Sequence, residues 1–137
     1  MKTLLIFTGI LEAVTGATFL IVPALDVSLL LGRGLDAPVP FVVAHLAGAA
    51  LLSLGVACLF ASRDTKSRAV RGIVVAMSIY NVAAVALLAD AGFHAGLAGI
   101  VFWPAVILHA GLAAWCVGCL LTRDPSPVPV VRVPDGA

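Results

Sequence analysis

The run from Leu4 to Val22 is apolar for long enough to cross a bilayer and carries one charged residue, Glu12, near its middle. About 20 apolar residues in a helix span roughly 30 Å of hydrocarbon, and the helix satisfies its own backbone polar groups along the way. A carboxylate at the centre of such a helix costs about 2.5–3.5 kcal/mol on insertion scales, so it faces a bundle interior where it finds a partner or is protonated. The rest of the chain must supply that interior. Three further apolar runs are available, and together they predict an all-α membrane protein. Its domain is a four-helix transmembrane bundle over residues 1–121, with spans at about 4–22, 41–61, 72–89 and 97–121.

Composition agrees with that class. Hydrophobic residues make up 62% of the 137 residues and charged residues 11%, against about a quarter charged in a soluble domain. A net charge of +1 provides no clustered basic face, which argues against nucleic acid as a partner. Glu12 interrupts the uncharged core that a removable leader requires, so the first run is expected to stay in the mature chain.

Between the first two runs, Pro23 ends the first helix, and Leu29, Leu30 and Leu31 are too few to span; they fit a short interfacial helix closed by Gly32, Gly34, Pro38 and Pro40. In the second run His45, Ala49, Ser53 and Ala57 step by four and mark one stripe, while Ala44 and Gly48 form a second small pair. The third run is expected to end at Asp90, Ala91 and Gly92, leaving His94 in a turn. Pro104, inside the fourth run, predicts a kink. Residues 122–137, with four prolines, read as a disordered tail.

With four spans, Lys2, Arg63, Lys66, Arg68, Arg71, Arg123 and Arg132 fall on one side and Arg33 alone on the other. That bias predicts a bacterial inner (plasma) membrane protein with both termini cytoplasmic. The expected surroundings are the lipid bilayer, and small residues facing outward permit a homo-oligomer or a membrane partner subunit.

Counting 1.5 Å per residue along alternating spans puts Glu12, Ser53, Asn81 and His109 near the midplane, one from each helix. If their faces converge, they form a site that holds a proton or a polar ligand. The competing reading is a hydrogen-bonded plug that fixes helix register. His45 and His109 lie at different depths and cannot both ligate one haem; no cofactor and no metal site is expected. Cys116 and Cys119 form a C-x-x-C beside Trp115, with Cys58 at similar depth. Redox thiols are one reading of these, and small buried hydrophobes are the favoured one.

Two resemblances follow from particular residues. Gly9, Glu12 and Gly16, then Pro23, then Leu29 to Gly32, then a small-rich helix with Leu51, Leu52, Leu54, Gly55 and Ala57, resemble the DoxX-like group of small four-helix bacterial membrane proteins. That likeness implies a structural or accessory membrane component without enzymatic activity. The segment from Gly9 to Thr18 is similar to the first helix of small multidrug resistance transporters, in which the membrane glutamate binds protons and cationic drugs alternately. This second likeness implies proton-coupled transport of a small or cationic solute through Glu12. Membrane thiol or quinone chemistry is a third expectation.

Overall fold

The computed structural model describes residues 1–122; the tail beyond them, including Arg123 and Arg132, lies outside the described residues. The protein is all-helical. Four helices are long and apolar enough to cross a membrane, namely α1 (Lys2–Ile21), α3 (Pro38–Ala61), α4 (Arg68–His94) and α5 (Phe102–Leu121). The short α2 (Pro23–Leu31) follows α1 directly. The chain is thus a small multi-pass membrane protein built as a four-helix bundle with a short helix between its first two spans.

Proline and glycine set most of the helix boundaries. Pro23 occupies the first turn of α2, where its missing N–H is not needed, and Gly32 caps the other end in the left-handed region at φ 71°. Pro38 and Pro40 begin α3 in the same way. At the start of α4 the Ser67 hydroxyl accepts a hydrogen bond from the Val70 N–H at 3.3 Å.

Two sequence expectations change here. First, α4 does not stop at Asp90 but continues to His94, and the two residues pair across one exposed turn at 2.9 Å. Second, α5 starts at Phe102 instead of Leu97, because the preceding segment is committed elsewhere. Gly96 turns with φ 61°, the Gly99 N–H donates to Leu30 O at 3.0 Å, and the Val101 N–H donates to Leu29 O at 3.2 Å. Pro104 consequently falls in the first turn of α5, where a proline needs no kink.

The helices associate as two pairs, α1 with α3 and α4 with α5, with sparser contact between the pairs. In the first pair, glycines face backbone directly. A Cβ on Gly16 would collide with Leu52 backbone and lie 2.6 Å from Gly48 O; one on Gly55 would lie 2.8 Å from Gly9 O. The small face of α1 therefore does what its spacing suggests. On α3, however, the packed residues are Ala44, Gly48 and Gly55, whereas His45, Ala49 and Ser53 are exposed. The stripe through His45 faces outward because His45 and Ser53 satisfy themselves within the helix. His45 Nδ1 bonds Phe41 O and the Ser53 hydroxyl donates to Ala49 O, each at 2.8 Å.

A buried apolar cluster joins the two pairs at one end of the bundle. It draws Leu4 and Leu5 from α1, Cys58 and Ala61 from α3, Val70, Val74 and Met77 from α4, and Leu112 and Cys116 from α5. This is the end that also carries Lys2 and the basic α3–α4 loop. Beyond the cluster, toward α2, the pairs enclose a cavity.

Candidate ligand site

Glu12 lies on α1 beside the glycine seam, one helical turn from both Thr8 and Gly16. The glycines bring α3 against one flank of α1, and Glu12 occupies the flank that the α4–α5 pair covers. It is 3% exposed, and its Oε1 has no hydrogen-bond partner. Thr8 Oγ1, one turn away, is also buried without a partner.

Glu12 lines a half-open cavity of about 450 Å³ bounded by α1, α2, α3, α4 and α5. Most of its wall is apolar, including Leu11, Phe19, Leu51 and Leu108. The polar groups on it are Glu12, Thr15 and Thr18 from α1, Asp26 from α2, Tyr80 from α4 and His109 from α5. Asp26 Oδ2 is a second buried carboxylate oxygen without a hydrogen bond. Among the described residues no Lys or Arg lines the cavity. His94 and Asp90 pair with each other at the exposed end of α4, and neither lines the cavity.

Asn81 and His109 come together by a direct bond. Asn81 is fully buried, its Nδ2 donates to Met77 O at 2.7 Å, and its Oδ1 lies 2.8 Å from His109 Nδ1. With the amide nitrogen already donating, Oδ1 is the acceptor. His109 therefore carries its proton on Nδ1, and in the neutral ring Nε2 is left as the acceptor. Tyr80 meets the same imidazole edge to face, with ring centroids 5.6 Å apart.

Of the four polar residues that depth counting placed at the midplane, the structure brings Glu12 and His109 to one cavity and ties Asn81 to His109. Ser53 lies on the outer face of α3, away from them. Depth gives a residue's height along a helix but not its azimuth, and Ser53 is on the wrong side of its helix. Asp26 and Tyr80 were not assigned to the site by sequence reasoning. Tyr80 carried a usable signal, since it neighbours Asn81 on the third run. Asp26 did not, because its position depends on α2 folding back over the bundle.

Cys58 and Cys116 are free and buried in the apolar cluster, and Cys119 is free and half-buried. None of them lines the cavity, although the cluster holding Cys58 and Cys116 packs against Leu11 and Tyr80 of its wall. Among the described residues no three His, Cys, Asp or Glu side chains are close enough to share a metal ion.

Comparison with family models, with curated proteins and with solved structures gives no match to this chain.

Proposed function

We propose that the chain is a proton-linked carrier of a small cationic solute, with Glu12 as the group that takes either the proton or the cation. The observation that supports this reading most is that Glu12 is buried, unpartnered and on the wall of a cavity. A carboxylate used as structural glue ends on a donor. One that faces an open volume in an apolar bundle must be neutralised by a proton or by a bound cation. Competition of the two for one carboxylate is the minimal requirement for exchange. His109, with Nε2 as its acceptor, and Tyr80 are the further groups on the wall that exchange protons or orient a ligand. The basic residues Lys2, Arg63, Lys66, Arg68 and Arg71 support an orientation with their end cytoplasmic, in a bacterial inner membrane.

A second reading, an accessory membrane component of the DoxX-like kind, is favoured by the Asn81–His109 bond, which spends the imidazole Nδ1 on holding α4 to α5. The two readings separate in proteoliposomes carrying a pH-sensitive dye inside. Tetramethylammonium, which cannot cross as a neutral amine, is added outside. Exchange makes the interior alkaline in wild type, and Glu12→Gln abolishes the response while thermal unfolding stays within a few degrees of wild type. If wild-type vesicles give no response above protein-free vesicles, the carrier reading fails and the accessory reading stands in its place.

A further inference from the structure

We infer that the cavity is built for a linear diammonium ligand, an α,ω-diaminoalkane whose two charged ends reach Glu12 and Asp26. This rests on the carrier reading above and specifies its substrate class. Three observations lead to it.

The first is charge. Two carboxylates from different helices line one cavity, each has an oxygen buried without a hydrogen bond, and Glu12 as a whole is 97% buried, the complement of its 3% exposure. None of Lys2, Arg33, Arg63, Lys66, Arg68 or Arg71 lines the volume. His109 has its Nδ1 turned to Asn81. Among the described residues the wall thus presents two carboxylates with no Lys or Arg to meet them, and one ligand carrying two positive charges can neutralise both at once.

The second is spacing. Glu12, Asp26 and His109 share the cavity without forming a three-residue cluster that could hold one metal ion. Glu12 stands in the middle of α1 and Asp26 on α2, which folds back over the bundle, so the two carboxylates enter the cavity from separate helices.

The third is the wall between the two acids. It is mostly hydrocarbon, with Leu11, Phe19, Leu30 and Leu108 among its residues, which suits an aliphatic chain. Asp26 is attached to an anchored element, because Leu29 O and Leu30 O accept hydrogen bonds from Val101 and Gly99. The outer charge point is therefore held on the bundle.

Calorimetric titration of the purified full-length chain in lipid nanodiscs tests the assignment, using diaminoalkanes of three to eight carbons beside the n-alkylamines of matching length. The expected result is an optimum diamine that binds about tenfold tighter than its monoamine, the gain from one added charge-assisted contact. Asp26→Asn lowers diamine affinity to that of the matching monoamine, whereas Glu12→Gln abolishes binding of diamine and monoamine alike. Circular dichroism melts confirm that the variants are folded. Equal affinity for diamine and monoamine, or a preference that survives Asp26→Asn, overturns the diammonium assignment and leaves the single-cation carrier intact. Failure of every amine to bind overturns both.

Discussion

The two helix pairs of this bundle are held by different means. Between α1 and α3 the contact is backbone on backbone. Gly9 and Gly16 on one helix and Gly48 and Gly55 on the other are each seven residues apart, and they meet in antiparallel register. Between α4 and α5 the contact runs through side chains. It includes the Asn81–His109 bond, Phe102 set against Gly92, and Trp103 between Phe93 and Phe102. On the second pair a Cβ on Gly72, Gly111 or Gly118 would meet nothing within 4 Å, and one on Gly92 would meet the side chains of Phe102 and Trp103, not backbone. In a bilayer there is no hydrophobic gain from helix association itself, so close van der Waals approach and interhelical hydrogen bonds are the available sources of stability. Each pair relies mainly on one of them.

This difference bears on the site. Glu12 is carried by the pair with the closest backbone approach, and His109 by the pair joined through side chains. A rigid α1–α3 unit fixes the carboxylate while α4 and α5 supply the opposite wall. Any exchange of proton for cation at Glu12 then depends on how the second pair sits against the first, where contact is sparser.

The comparison breaks most visibly at Gly16. A valine there places side-chain atoms where the Leu52 backbone and Gly48 O already lie, and neither can move without separating the helices. Overpacking of this kind costs about 3 kcal/mol, and Gly48→Val, its reciprocal, costs a similar amount. The expected result is loss of the folded fraction in detergent-titrated unfolding. If Gly16→Val melts with the wild type, the α1–α3 seam is not the close contact described.

The same substitution logic applied to α4 and α5 gives a smaller number. Asn81→Leu removes the bond to His109 and leaves the N–H of that half-buried ring without its acceptor. Interhelical bonds in membranes average about 0.6 kcal/mol, and an abandoned donor adds to that, so the loss is about 1–2 kcal/mol. Double-mutant analysis with His109→Leu should recover most of the difference, because removing both partners leaves nothing unsatisfied. Strict additivity of the two changes would show that the bond contributes nothing.

Much of the architecture was legible from residue order, because the bilayer restricts what a long apolar run can do. The four spans, the short helix after Pro23 and the small face of α1 follow from run length, proline position and helical spacing. Azimuth was legible only where small residues marked it. Gly9, Gly16 and Gly48 point to a seam, whereas the His45–Ser53 stripe on α3 looked equally suitable and faces outward. A membrane helix can satisfy a serine or histidine with its own carbonyl, so a polar residue does not by itself indicate the inside. The start of α5 departs from expectation for a similar reason: Leu97 to Val101 is apolar enough to extend the helix, but the Gly99 and Val101 N–H groups bond to the end of α2, a tertiary contact that local pattern does not contain. Asp26 enters the cavity through that same fold of α2.

The sharpest form of the comparison asks one residue type to give opposite signs in one molecule. Gly111→Ala and Gly118→Ala place a methyl on α5 where no atom lies within 4 Å, so no contact is strained. The substitution also removes the conformational freedom that makes glycine poor in a helix, by at most about 0.8–1.0 kcal/mol, less in a bilayer where the helix is already enforced by its backbone bonds. Both variants should therefore unfold at or slightly above the wild-type midpoint, while glycine substitutions on α1 and α3 lower it. Were Gly111→Ala as damaging as Gly16→Val, the outer face of α5 would have to be covered in the membrane, and a second copy of the chain would be the first candidate to cover it. Crosslinking of the variant and of the wild type in lipid would then show an oligomer in the wild type that the added methyl disrupts.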